Sequence, residues 1–212
     1  TRHGIEVDLL KESLDQPDVL EAFTLGKTTA IFQFESSGMK GLLTSLAYAG
    51  TLTFEQLVAA TALYRPGPME SGMLESYVAI TKGFESPDYP HPNLIPVLEE
   101  TKGVFVYQEQ VMQSAQVLAG FTMAQADGLR KAMGKKDADM MSKVREAWVK
   151  GCESHSGMSA PDAESLFDKI EKFAGYGFNK SHSCAYTLLS YWTMLLKVRY
   201  PAEFFASCMS IM

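Results

Sequence analysis

Cysteine is scarce in this chain: Cys152, Cys184 and Cys208 are the only three in 212 residues, and no CxxC pair occurs. That spacing excludes a zinc knuckle and a redox dithiol, and it favours reduced cytoplasmic thiols in or near a core. Histidine is equally sparse; His3, His91, His155 and His182 are scattered without metal-ligand spacing. Positive charge is in deficit, with 19 Lys and Arg against 25 Asp and Glu and a net charge of −6. A mean basic field that grips nucleic acid is therefore excluded, and any such role needs a local patch. Long apolar runs are missing too. The uncharged stretch Ser181 to Leu196 is too short and too rich in Ser, Thr and Tyr to span a bilayer. No segment reads as a signal peptide, so the expected location is the cytoplasm.

Phosphate chemistry is constrained in the same way. No GxxxxGK[ST] spacing occurs, which excludes a P-loop. Two-metal phosphoryl transfer needs acids held close together. Glu6 with Asp8, Glu99 with Glu100, and Asp137 with Asp139 lack an apolar strand context, so no metal site is expected. Glu109 reads as a polar helix face or a structural hydrogen-bonding group.

What is present is a helical globular chain. The apolar share of 46% and charged share of 21% fit one or two packed domains. Ser36 or Ser37 caps a helix carrying Met39, Leu42, Leu43 and Leu46. Thr53 and Gln56 form a capping box for Phe54 to Tyr64, whose buried stripe is Leu57, Val58 and Leu63. Arg65-Pro66-Gly67-Pro68 ends that helix. Ser71 to Lys82 reads as a short helix, and Phe84 to Pro96 as an extended proline-rich loop. Val104-Phe105-Val106 is the one expected strand.

From Tyr107 onward the period is helical. Thr122 and Gln125 box the start of a helix reaching Met133. Asp137 caps a helix with the stripe Met141, Val144, Trp148 and Cys152. Ser159 and Pro161 open another, carrying Ala163, Leu166, Phe167 and Ile170. The last long helix is expected to bury Ala185, Leu188, Leu189, Trp192, Leu195 and Leu196, ending before Pro201. The predicted class is mainly α: an irregular multi-helix domain with at most one or two short strands. The chain starts at Thr1 and stops at Met212 in an apolar stretch, so a piece of a larger protein is expected.

Charge is unevenly placed. Residues 121–150 hold seven cations and four acids, whereas the remainder holds 12 cations and 21 acids. An acidic body thus carries one basic face, concentrated in Arg130, Lys131, Lys135 and Lys136. Lys131 and Lys135 stack on one side of a helix and repel by a few tenths of a kcal/mol, roughly, which a phosphate relieves. A solvated helix end suited to its dipole is the plainer reading.

The second feature is Ala174-Gly175-Tyr176-Gly177-Phe178-Asn179-Lys180-Ser181-His182-Ser183. Two glycines allow a sharp turn, and Asn179 or Ser181 caps the following helix. A helix start offers free N–H groups to an anion, and Lys180 and His182 add donors. Tyr176, Phe178 and Tyr186 offer flat faces. The plainer reading is a Gly-ended helix, a turn and a capped helix with buried aromatics. Arg65, on its proline turn, reads equally as a placed cation or a surface residue.

Taken together, these segments resemble one family, the alpha subunit of bacterial replicative DNA polymerase III among the C-family polymerases. The matching stretches are Ile31 to Ser36, Arg65 to Pro68, Tyr107 to Met112, Leu129 to Lys136, Phe173 to Ser183 and Tyr200 to Phe204, in the family's order. The resemblance implies a mainly helical fingers domain over 31–212, with a trailing edge of the palm or a connector at 1–30. It implies an incoming deoxynucleoside triphosphate and primer–template DNA as ligands. By that likeness Arg65, Arg130, Lys131, Lys135, Lys136, Asn179, Lys180 and His182 face phosphates, and Tyr176, Phe178 and Tyr186 shape the base or sugar pocket.

The family's catalytic palm aspartates, which hold Mg2+, have no counterpart here. The resemblance therefore implies no catalytic or metal residue in this stretch, and the stretch alone is expected to be inactive. A DNA-directed DNA polymerase is implied for the whole protein, with other replicase subunits, including the sliding clamp, as partners and no membrane. Two other readings stay open. One is a free-standing helical nucleotide- or DNA-binding module, for instance a decoy or assembly factor. The other is a hydrolase using His182 with Ser183 or Cys184.

Overall fold

The computed structural model describes residues 6–135, 138–174 and 176–211, without the side chains at 49, 134, 135, 138, 139 and 174. Twelve α-helices and several 3-10 turns make up the described chain, which is mainly α. No strand forms among the described residues; the sole sheet-like feature is an isolated parallel bridge between Tyr107 and Phe178. Val104 to Val106 is thus not a strand, although its residue types suit one. A strand needs a partner ladder, and only one residue pair meets. No described helix is long and apolar enough to cross a membrane.

The chain divides into two units, Thr1–Thr61 with Cys184–Met212, and Ala62–Ser183. The first contains α1 (Pro17–Thr24), α2 (Ser37–Leu46) and most of α3 (Phe54–Leu63). The Thr53 capping box forms as expected: Thr53 N–H donates to Gln56 Oε1 at 2.9 Å and Gln56 N–H to Thr53 Oγ1 at 3.3 Å. The second unit contains α4 (Pro66–Glu70), α5 (Met73–Thr81), α6 (Ile95–Leu98), α7 (Gln108–Ala119), α8 (Met123–Lys135), α9 (Ala138–His155) and α10 (Ala160–Ala174). Helix α11 (Lys180–Arg199) opens in the second unit and continues in the first, which also holds α12 (Pro201–Ile211).

Proline ends two helices where expected, and it accounts for one departure, in the loop after Phe84. Pro66 and Pro201 stand in the first turn of α4 and α12, where a missing N–H costs nothing, so the same residues that end one helix begin the next. Pro92 likewise starts a 3-10 turn leading into α6, so the loop after Phe84 is not extended to its end. The expected Asp137 cap lies outside the described residues.

In the first unit Phe23 meets Phe34 edge-on at 5.2 Å and Tyr191 in a stack at 6.5 Å. The buried face of α11 is not the expected aliphatic stripe. Thr187, Ser190, Tyr191, Met194 and Leu195 are buried, whereas Leu189 is exposed. Small hydroxyls are tolerated there because each finds a partner. Thr187 Oγ1 lies 3.2 Å from Thr61 Oγ1, Ser190 Oγ donates to Phe32 O at 2.7 Å, and Tyr191 Oη accepts from Gln16 N–H at 3.0 Å.

The second unit is built around Val111, Ala115, Leu118, Leu129, Trp148, Cys152, Leu166, Phe167 and Ile170. The expected stripe of α9 is thereby buried through Met141, Trp148 and Cys152. Helices α7 and α9 approach closely because position 151 is Gly. A Cβ there would fall 2.4 Å from Ala119 O, a backbone atom that cannot swing away. Burial pushes the Cys152 thiol up to about 12, which makes it an inert core thiol at neutral pH.

Candidate functional site: a braced turn before helix α11

Three segments far apart in sequence meet in the second unit: the Arg65 turn, residues 104–110 and residues 176–183. The backbone supplies the first link. Phe178 N–H donates to Val106 O at 3.2 Å, and Gln108 N–H donates to Phe178 O at 2.9 Å. Gln108 Nε2 adds a bond to Gly177 O at 3.2 Å.

Gln110 holds the 104–110 side of this junction. Its Oε1 accepts from Val106 N–H at 2.9 Å and Tyr107 N–H at 3.0 Å. Its Nε2 donates to Val97 O at 3.2 Å and Thr101 Oγ1 at 2.7 Å. All of its amide valence is used inside the protein.

Arg65 holds the other side. Its Nε donates to Ala62 O at 2.8 Å, its Nη2 to Tyr176 O at 2.7 Å, and its guanidinium carbon stands 4.4 Å from the Phe178 ring centre. Burial lowers its pKa, yet a guanidinium stays charged. Gly67 lets the Tyr176 ring lie against the turn, because a Cβ there would sit 2.2 Å from Tyr176 Cδ1. Beside Tyr176 opens a cavity of about 500 Å³ lined by Met73, Phe105, Lys169, Lys172 and Phe173, among others.

The start of α11 is closed by side chains. Asn179 Oδ1 accepts from His182 N–H at 2.8 Å, the expected cap. Glu109 then reaches in from the first turn of α7. Its Oε1 accepts from Asn179 Nδ2 at 2.8 Å, and its Oε2 from Lys180 N–H at 3.0 Å. Lys180 Nζ meets Glu100 Oε2 at 2.5 Å and lies 5.5 Å from the Tyr107 ring centre. His182 is exposed, with its ring edge-on to Phe178 at 5.4 Å.

The structure thus gathers Arg65, Tyr176, Phe178, Asn179, Lys180 and His182 into one cluster. Arg130 and Lys131 are arranged differently, around Asp127 on their own helix. Arg130 Nε and Nη2 bond Asp127 Oδ1 at 2.9 and 2.7 Å, and Lys131 Nζ lies 2.7 Å from Oδ2. The bonds from Lys131 and then Arg130 hold the Asp127 carboxyl below its ordinary value. The Lys135 side chain and Lys136 lie outside the described residues. Tyr186 belongs to the first unit, where its ring is 5.7 Å from that of Phe32. Among the described residues no group of three His, Cys, Asp or Glu side chains gathers as metal ligands.

Sequence reading found the turn but not what braces it. Asp127 was findable, because an acid three and four residues before two cations is a standard helical pairing. The full reach of Glu109 was not, since its partners Asn179 and Lys180 lie 70 and 71 positions away.

The family model for the bacterial DNA polymerase III alpha subunit finger domain matches residues 1–156. The chain is 49% identical over 205 residues to DNA polymerase III subunit alpha of Aquifex aeolicus, covering 97% of this chain and 17% of that protein. It is 47% identical over 209 residues to the subunit of the same name from Escherichia coli K12, covering 96% of this chain and 18% of that protein. The chain therefore spans less than a fifth of the length of these curated relatives. With the family model covering most of its length, and with a helical fold in which three of the motif segments meet at one turn, the chain belongs to the finger-domain family of bacterial DNA polymerase III alpha subunits.

Proposed function

We propose that this chain is the nucleotide-facing fingers part of a DNA-directed DNA polymerase, with residues 31–212 as the fingers and residues 1–30 as the edge of the palm or a connector. Its ligands are the triphosphate of an incoming deoxynucleotide and nearby primer–template DNA. Replicase subunits such as the sliding clamp are partners of the complete protein. The carrying observation is identity near one half across almost the whole chain with alpha subunits. The cationic cluster gives that reading a physical form.

Arg130, Lys131, Lys135 and Lys136 supply charge, and Lys180, His182 and Asn179 supply donors at the start of α11. Arg65 contributes through the turn it holds. Tyr176 and Phe178 flank base or sugar, a role the family resemblance also gives Tyr186. Such preplaced cations neutralise charge that develops on a transferring phosphoryl group. Mg2+ would supply the metal activation of the complete enzyme. The family resemblance assigns its ligands to residues outside this stretch, and no step here passes through it.

Lys131 and Lys135 provide the test. Replacing both with Ala in the complete polymerase subunit is expected to lower kcat/KM for the nucleotide roughly tenfold or more, the scale of losing charge-assisted contacts. Primer–template affinity should change less. Steady-state incorporation kinetics against nucleotide concentration make the measurement, with circular dichroism as a check on folding. Unchanged nucleotide kinetics in a folded variant would refute the phosphate role.

A further inference from the structure

We infer that Glu109 is a positioning residue, one that sets the nucleotide-facing turn without touching nucleotide; this rests on the function proposed above. Both carboxylate oxygens are already engaged, one with the Asn179 side chain and one with the Lys180 backbone. A negative group so placed repels phosphate rather than binding it. What it does control is the geometry of the groups that bind.

The linkage is short and directional. Glu109 fixes the Asn179 amide through Nδ2, which leaves Asn179 Oδ1 aimed at His182 N–H. Its second oxygen fixes the Lys180 backbone, and the Lys180 side chain leaves from there toward Glu100 and the Tyr107 ring. One carboxylate therefore sets the origin of both Lys180 and His182. Its own mount is firm, because the neighbouring residues Gln108 and Gln110 bond to the turn and to the 106–107 backbone respectively. The residue type matters. Two donors converge on Glu109, one on each oxygen, and only a carboxylate presents an acceptor at both of those positions. A glutamine at this position satisfies one donor and opposes the other, and an alanine satisfies neither.

The experiment uses the complete polymerase subunit with Glu109→Gln, Glu109→Ala and, as a reference, Lys180→Ala. Nucleotide kcat/KM is expected to fall in the order wild type, Gln, Ala, with the Ala variant about tenfold below wild type, the scale of lost charge-assisted bonds. Affinity for primer–template should stay within about twofold, a split that general structural damage does not give. If Glu109→Ala matches wild type while Lys180→Ala is impaired, the positioning role is wrong and the functional reading stands. If Lys180→Ala itself leaves nucleotide kinetics unchanged, the functional reading fails and takes this inference with it. A parallel fall in primer–template affinity would mark Glu109 as a general structural residue and overturn the inference.

Discussion

Gln110→Leu is expected to destabilise the second unit by about 3–5 kcal/mol, an effect that outweighs the similar size of the two side chains. The exchange removes four hydrogen bonds at once. Val106 and Tyr107 are 2% and 0% exposed, so water cannot replace the lost acceptor. Each buried N–H left without a partner costs about 1–3 kcal/mol, whereas the added apolar contact of Leu returns about 1 kcal/mol. The damage should spread to the site, since Val106 O and Gln108 N–H are the groups that pair with Phe178. Urea unfolding gives the measurement, and hydrogen exchange at Val106 and Tyr107 locates the effect. A loss below about 1 kcal/mol would show that the buried amide is not the clamp described.

Trp148→Ala is expected to cost about 4–5 kcal/mol, the upper part of the range for removing a buried aromatic. Trp148 is wholly buried between Phe121, at 6.5 Å, and Phe167, at 5.9 Å. Its Nε1 donates to Ala163 O at 2.9 Å, a carbonyl that the substitution leaves short of a partner. Partial collapse usually softens such a loss, but little is available here. Gly151, one turn further along α9, already brings that helix against the α7 backbone. Trp148→Phe keeps most of the ring volume and loses the hydrogen bond, so about 1–2 kcal/mol is expected. Equal losses for the two variants would argue against a rigid void.

Helix starts were the most legible part of the sequence, because their signals are local. Thr53 with Gln56 and Thr122 with Gln125 pair within four residues, and both boxes form. Ser159 accepts from Asp162 N–H at 3.3 Å, so its cap was readable as well. The stripe of α9 was legible because an aliphatic face has a fixed period. Helix α11 defeated the same logic. Its buried face uses Thr187 and Ser190, whose burial depends on acceptors contributed by distant residues.

The candidate site divides along the same line. Its donors and rings stand in one run from Tyr176 to His182 and could be read directly. The braces come from Arg65, Gln108, Glu109 and Gln110, and no local pattern joins residue 65 or 109 to residue 178. Position 104–106 failed for the converse reason: residue type favoured a strand, and the chain offers one pairing residue at Phe178.

The central claim is that cations on α8 and at the start of α11 hold a single polyphosphate. It is tested most directly by measuring nucleotide kcat/KM for Lys131→Ala, Lys180→Ala and the double variant in the complete polymerase subunit. Two grips on one tail are coupled, so the double variant should depart from the sum of the single losses by about 0.5 kcal/mol or more. Strict additivity, within about 0.3 kcal/mol, would place the two lysines on separate ligands and contradict the account.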